Sequence, residues 1–328
     1  MASDRKTYLV TGCAGFIANQ VVQLLLGEGH RVVGLDNLND YYDVSLKEHR
    51  LAKLLTYQHF DFVQQDLEDR AGVAKIFDDN SFDAVINLAA RAGVRYSLED
   101  PAAYMMTNAM GSLFLLEEMR TRGIKKYVLA STSSLYAGQK MPFVETSSVN
   151  TPISPYAASK KSAEMMAYAY HHNYDLDISI VRYSTVYGPG SRPDMAIFRF
   201  VKCIDDGSPI TLYGDGTQSR DFAYVDEIAT GTIAAIKPVG FEVINLGGGN
   251  RPVSINAVIE KLETLIGKKA EIDYQPFHEA DMKTTWVDIS KANQLLNWSP
   301  KVALDDGLEK CVRWHRKNQP WSGSIKIY

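Results

Sequence analysis

Tyr8-Leu9-Val10-Thr11-Gly12-Cys13-Ala14-Gly15-Phe16-Ile17-Ala18 (YLVTGCAGFIA) decides the architecture, because it reads as strand, glycine turn and helix start in one short run. The β-favouring residues 8–11 supply the strand, and a helical pattern follows over about 15–29. Glycines at such a turn let the backbone approach a pyrophosphate, while the helix start offers free N–H groups and partial positive charge. A glycine pattern alone is a weak signal. It gains weight from Asp36, which ends a second β-rich run (31–36, RVVGLD) at the distance from the turn that a ribose-binding carboxylate requires. A carboxylate there accepts both ribose hydroxyls and repels a 2′-phosphate, which favours NAD over NADP. Ala18 stands where helix and strand pack closely, and Asp66, after a third strand, is a candidate partner for the adenine amino group.

Outward from that turn, β-rich and helical runs alternate. Strands are expected at 60–64, 84–90 (AVINLAA), 127–131 (YVLAS) and 177–182 (DISIVR), and helices at about 69–79, 104–122 and from Pro155 to about 173. Strands apolar on both faces belong to a parallel sheet covered on both sides, so the pattern is α/β and doubly wound. After Tyr187 the rhythm breaks at 188–193 (GPGSRP) and again at 214–216. A further sheet strand is expected at 243–246, then two helical patterns and a short strand. Residues 1–187 plus about 218–248 thus form the nucleotide-binding body, and about 188–217 plus 249–328 a second, smaller α/β substrate lobe.

Bulk properties set limits. The 328 residues carry a net charge of −4, with 45% hydrophobic and 23% charged residues, an ordinary composition for a soluble globular chain. Nothing pulls it generally toward nucleic acid or anionic membrane, so an anionic ligand needs a local set of cations. Cys13, Cys203 and Cys311 are odd in number and widely spaced. They exclude a disulfide framework, argue against a metal site and fit a reducing, cytoplasmic setting. No apolar run approaches a membrane span.

Chemistry is concentrated in Tyr156-Ala157-Ala158-Ser159-Lys160, which places a phenol and an ammonium at i and i+4 on one helical face. A phenol titrating near 10 is a poor base at neutral pH; the nearby Lys160 ammonium and a positive nicotinamide both favour phenolate and make the pair a tunable acid/base. Such spacing also arises by chance on amphipathic helices. Ser131-Thr132-Ser133-Ser134 sharpens it, since hydroxyls at a strand's C-terminal end face the ligand crevice of such a sheet.

The glycine loop, the NLAA run at 87–90, the STSS cluster and YAASK together resemble the extended short-chain dehydrogenase/reductase family acting on nucleotide sugars, a Rossmann-type fold. The likeness covers almost the whole chain. It implies Tyr156, Lys160 and Thr132 as catalytic residues. It implies cofactor contacts from Gly12, Gly15, Phe16, Ile17, Asp36, Asn37, Asp66, Leu67, Leu88, Ala89, Ala90 and Asn108, together with Tyr156 and Lys160. Four stretches, 36–43 (DNLNDYYD), 92–97 (AGVRYS), 185–189 (TVYGP) and 192–196 (RPDMA), resemble the UDP-glucuronate 4-epimerase subfamily. For the UDP-sugar this implies Arg95, Ser133, Ser134, Thr185, Arg192, Arg220 and Asp281, with Arg192 and Arg220 at the diphosphate and Asp281 at the nucleotide ribose.

Ser134 occupies the position where UDP-glucuronate decarboxylases resembling this chain carry Glu. Hydroxyls there can bind a substrate carboxylate without repulsion, which suits an epimerase that must hold a β-keto acid away from decarboxylation. The implied reaction is reversible C4 epimerisation of a UDP-hexuronate (UDP-glucuronate to UDP-galacturonate) with tightly bound NAD. The alternatives are a neutral-sugar 4-epimerase, a decarboxylase and a non-catalytic NAD-sensing protein. Four departures stand out: Ala137 follows Tyr136 where Gly is usual, Pro189-Gly190-Ser191 replaces the bulkier residues usual before RPDMA, Ser184 replaces an aromatic, and His278 stands where galactose 4-epimerases place Arg. A homodimer is expected through helices near 110–120 and 165–172, where Leu113, Leu116, Met165 and Met166 offer apolar faces.

Overall fold

The structure, a computed structural model, describes residues 5–249 and 251–327. Its first half alternates strand and helix: β1 (Thr7–Thr11), α1 (Phe16–Gly27), β2 (Arg31–Asp36), α2 (Val44–Leu54), β3 (Phe60–Gln64), α3 (Arg70–Asp79) and β4 (Ala84–Asn87). Two single-turn helices follow, α4 (Tyr96–Glu99) and α5 (Pro101–Tyr104), then a π-helical segment (Met105–Met110) and α6 (Gly111–Arg122). Next come β5 (Lys126–Thr132), α7 (Pro155–Tyr174), β6 (Asp177–Tyr183) and β7 (Thr185–Tyr187). The last third holds α8 (Ala196–Asp206), β8 (Ile210–Tyr213), β9 (Ser219–Arg220), β10 (Phe222–Tyr224), α9 (Val225–Ala234) and β11 (Phe241–Leu246). It closes with β12 (Val253–Ser254), α10 (Ile255–Ile266), β13 (Ile272–Gln275), α11 (Ser290–Leu296) and α12 (Leu304–Ser322).

Seven strands form one parallel sheet in the order β11-β6-β5-β4-β1-β2-β3. Alternation along the strands divides the core. Val10, Val32, Ile86, Val128, Val181 and Ile244 face one side, where Val21, Val22 and Leu25 of α1 and Ile228 of α9 cover them. Leu9, Val33, Val85, Tyr127, Leu129 and Ile180 face the other, beneath α3, α6 and α7. Burying each such aliphatic side chain contributes roughly 1.5–3 kcal/mol. Strand order reverses between β1 and β4, and that switch point is where the C-terminal strand ends open a crevice for ligand. A separate core joins α8, α10 and α12 with β8 through Phe200, Ile204, Leu212, Val258, Leu262, Leu308 and Val312.

Several sequence expectations shift. The strand expected over 84–90 ends at Asn87, because the N–H groups of Leu88 and Ala89 turn to donate to Thr11 Oγ1 at 3.1 and 3.0 Å. The single helix expected over 104–122 is interrupted by the π-helical segment. Helix α2 was hidden by its charges: its buried face includes Lys47 and Arg50 beside Leu46, Leu51 and Leu54. Helix α8 lies between the two turn-rich breaks, where no element was expected, and among the described residues three helices rather than two follow 252. The turn after Tyr136 is displaced by one residue, as Ala137 keeps φ −50° and Gly138 takes φ +79°. The three cysteines are buried and free. Among the described residues, no helix is long and apolar enough to cross a membrane.

Candidate active site

The glycine turn has the shape a pyrophosphate needs. Gly12 sits at φ +70°, and a Cβ there would meet the Ala89 backbone at 2.9 Å. At Gly15, the residue before α1, a Cβ would meet the Gly12 carbonyl oxygen at 2.8 Å. Only glycine fits either place, and the result is a backbone cradle at the N-terminus of α1, where Phe16 and Ile17 begin the helix. Asp36 is buried at the end of β2. One carboxylate oxygen accepts from Ala14 N (3.1 Å) and the other from Leu38 N (2.9 Å), so the acid is fixed relative to the turn. Asn37 Nδ2 donates to Asp66 Oδ2 at 2.7 Å, and Leu67 is buried beneath them. These residues fit a dinucleotide: turn for pyrophosphate, Asp36 for ribose hydroxyls, Asn37 and Asp66 for adenine.

Asn108, in the π-helical segment, fixes the far wall. Its Nδ2 donates to Arg91 O and Ser159 Oγ, both at 2.9 Å, and its Oδ1 accepts from Arg91 N at 2.9 Å. Ser159 lies next to Lys160, so the strand end at Ala89–Arg91 and α7 are held together. π-helical insertions often mark functional sites.

On α7, Ser154 caps the helix by accepting from Ala157 N (3.2 Å), with Pro155 at the first helical position. Tyr156 and Lys160 therefore begin the helix on one face. Tyr156 keeps part of its surface accessible. Burial pushes its phenol up, while the hydrogen bond with Thr132 and the positive charge of Arg192 act the other way. Lys160 is buried, donates to Ala130 O at 2.9 Å, and burial pulls its ammonium down to about 8. Lys160 is thus tied to β5, and the charge of Arg192 also bears on the Tyr156 phenol.

The strand-end hydroxyls gather as expected. Thr132 Oγ1 lies 3.1 Å from Ser134 Oγ and accepts from Ser134 N at 3.1 Å; Ser133 is buried beside them. Arg192 pairs with Asp194, donates through Nη2 to Ala92 O (3.3 Å) and lies 5.7 Å over the Tyr41 ring. Tyr41 and Tyr104 donate to the same carbonyl, and the Tyr104 ring meets Tyr156 edge-on at 6.1 Å. Aromatic rings and a guanidinium therefore line one side of the phenol.

A second cluster draws on the loop before α4, on β8 and β9, and on the segment between β13 and α11. Arg95 pairs with Asp281 at 3.0 Å and stacks 3.9 Å over Tyr213. Arg220 donates to Ser219 O (2.9 Å) and Lys283 O (3.2 Å), and burial together with Arg95 pulls it down while Asp281 offsets this. Arg95, Arg220 and Asp281 thus form one set, whereas Arg192 stands with Tyr156. Thr185 begins β7, its N–H donating to Asp221 O at 3.2 Å. His278 lies in the loop before Asp281, where its carbonyl accepts from Asp281 N at 2.9 Å.

Sequence reading missed Lys47, Arg50, Glu164 and Asp221. Lys47 Nζ donates to Asn39 O (2.7 Å) and Asn39 Oδ1 (2.9 Å), holding the loop after Asp36. Glu164 takes Arg182 and Ser131 inside the core. The available signal was a charge at a helical core spacing, as Lys160 and Glu164 show at i and i+4 on α7.

Fold and site define a class: an NAD-dependent enzyme built on a Rossmann-type parallel sheet. A model of the NAD dependent epimerase/dehydratase family matches residues 8–247, and the chain belongs to that family. It is 57% identical over 320 residues to a UDP-glucuronate 4-epimerase of Thermodesulfobacterium geofontis, covering 98% of this chain and 99% of that one. The crystal structure of UDP-glucuronic acid 4-epimerase from Bacillus cereus, in complex with UDP-glucuronic acid and NAD, matches with a TM-score of 0.90 at 38% identity, covering 95% of this chain and 99% of that one. A UDP-glucose 4-epimerase with UDP-glucose from Thermotoga maritima matches with a TM-score of 0.86 at 32% identity, over 95% and 99% of the two chains.

Proposed function

We propose that this protein catalyses reversible C4 epimerisation of UDP-glucuronate to UDP-galacturonate with NAD as resident cofactor. The observation that carries the choice of sugar is the trio Thr132, Ser133 and Ser134 beside Tyr156: the strand end offers hydroxyls and no carboxylate. NAD is held by the Gly12–Phe16 cradle, Ile17, Asp36, Asn37, Asp66, Leu67, Leu88, Ala89, Ala90 and Asn108, and when bound it supplies reversible hydride acceptance. Tyr156 takes the proton of the sugar C4 hydroxyl and returns it after the 4-keto sugar has turned over. Thr132 hydrogen-bonds both the phenol and the reacting oxygen. Arg192 favours phenolate by its charge, and Lys160 anchors α7 to β5 while presenting its ammonium to the cofactor ribose.

Arg95, Arg220 and Asp281 bind the nucleotide and diphosphate, and Thr185 lies alongside. Anchoring at that end leaves the sugar free to present either face. Ser133 and Ser134 donate to the hexuronate carboxylate and keep its bond to the ring out of the alignment that releases CO₂. Residues 1–187 plus about 218–248 supply the cofactor half, and about 188–217 plus 249–328 the substrate half. The enzyme works as a homodimer in the cytoplasm, a setting that its unpaired buried cysteines fit.

General acid/base groups contribute about 10²–10⁴-fold. Tyr156→Phe should therefore lose at least about a hundredfold in kcat while retaining NAD, read by NMR of the product sugar. Turnover at the wild-type rate would remove Tyr156 from the chemistry. UDP-xylose as product would assign a decarboxylase instead, and turnover of neutral UDP-sugars alone a neutral-sugar epimerase.

A further inference from the structure

Arg50 is buried in α2, 7% exposed, and no carboxylate pairs with it among the described residues. A buried guanidinium ordinarily sits on an acid. This one is satisfied by neutral oxygens from three segments of chain. Nη1 donates to Ala14 O (3.0 Å) and to the Tyr42 hydroxyl (2.8 Å), and Nη2 donates to Gly190 O (2.7 Å). Ala14 belongs to the dinucleotide turn. Gly190 belongs to the loop that carries Arg192 two residues later, and Arg192 donates to Ala92 O (3.3 Å), the carbonyl shared with Tyr104, whose ring meets that of Tyr156.

The fork is planar and rigid, so one side chain sets the separation of two backbone carbonyls, one in the dinucleotide turn and one in the loop before Arg192. The loop before Arg192 has no slack. A Cβ at Gly188 would meet Phe16, the first residue of α1, at 3.3 Å, and one at Gly190 would meet Trp314 at 3.0 Å. Beyond α2, His49 stacks on Trp321 at 4.5 Å, and Leu46 packs with Phe198 and Ile325, so the helix bearing Arg50 is itself wedged in place.

We propose that Arg50 is a positioning residue that couples the dinucleotide turn to the Arg192 loop, so that NAD and the UDP-sugar each strengthen binding of the other. This rests on the reading of NAD and UDP-sugar as ligands. NAD in the turn fixes Ala14; the fork fixes Gly190; Arg192 is then held where the sugar and Tyr156 meet it. Coupling of this kind is reciprocal at equilibrium.

The test is calorimetric titration of UDP into the NAD-loaded and the NAD-stripped protein, for wild type, Arg50→Gln and Arg50→Lys. Wild type should bind UDP at least about fivefold more tightly when loaded, within the usual range of coupling. In both variants the ratio should fall toward one, while affinity of the stripped form stays within about twofold; with saturating NAD, the KM for UDP-glucuronate should rise more than kcat falls. Lysine keeps the charge but loses the planar fork that spaces the two carbonyls, so it decides the matter even where the glutamine variant fails to fold. A wild-type ratio near one, or a full ratio in the lysine variant, overturns the proposal. Intact coupling in a wild type that leaves UDP-glucuronate unchanged would instead overturn the epimerase reading alone.

Discussion

Asp221 shows how much a single buried acid can control. It is 1% exposed, lacks a salt bridge among the described residues, accepts from Val287 N at 3.5 Å, and burial pushes its carboxyl up to about 7. An unfolded carboxyl titrates near 3.9. Between those values the folded chain holds a proton that the unfolded chain has released, so this contribution to stability is complete below about pH 4 and is lost as pH rises through about 7. Asp221→Asn should keep the packing and escape the loss. The difference in Tm between variant and wild type should therefore grow in the variant's favour from pH 5 to pH 8; a difference independent of pH would mean that Asp221 titrates normally. The neighbouring Arg220 stands with Arg95 and Asp281, so this titration sits beside the proposed nucleotide-binding set.

At the scale of the element, α7 matters most, because it carries Tyr156 and Lys160 and must not rotate. One turn beyond Lys160, Glu164 Oε1 accepts from Arg182 Nε (2.8 Å) and Ser131 Oγ (2.7 Å), and Oε2 accepts from Arg182 Nη2 (2.6 Å). Arg182 also donates to the Tyr136 hydroxyl, which in turn donates to Asn245 Oδ1 (2.8 Å) on β11. Breaking one partner of a buried pair costs roughly 3–5 kcal/mol. Glu164→Gln retains acceptors on one side only, and a loss of about 3 kcal/mol is expected from the urea midpoint; an unchanged midpoint would mean the pair is not what sets α7. The same network explains where sequence reading succeeded and failed. The sheet was legible because β1, β2, β4, β5 and β6 are apolar on both faces, a pattern few other elements produce. The glycine turn, Asp36 and the Tyr/Lys pair were legible because each depends on local spacing. Arg50, Glu164 and Asp221 were not, since a charge inside a core acquires its meaning only from partners far away in the chain. Helix α2 was lost for that reason: two of its core positions are cations.

Across the whole molecule, the exposed apolar side chains are unevenly placed. Met105, Met106, Ile153, Met165 and Tyr168 are all exposed at or beside the π-helical segment and α7, with Met165 at 62%. Leu116, one of the residues expected to offer an apolar face, is fully buried in the core instead, because α6 turns it toward the sheet. The proposed dimer therefore draws on Met165 and its neighbours. Met165→Glu combined with Tyr168→Glu should shift the protein from dimer to monomer in size-exclusion chromatography with light scattering, with its fold retained by circular dichroism. An unshifted mass would place the interface elsewhere or leave the chain a monomer.

The buried network of Glu164, Arg182, Tyr136 and Asn245 carries a consequence for descent and redesign. It fixes the reacting helix from behind, through groups that never meet a sugar, whereas the hydroxyls and cations proposed to read the sugar stand in front of it at strand ends and in loops. Exchanging Ser133 or Ser134 is therefore expected to alter which hexose is accepted without disturbing what holds Tyr156. A lineage built this way can change its diet while keeping its digestion.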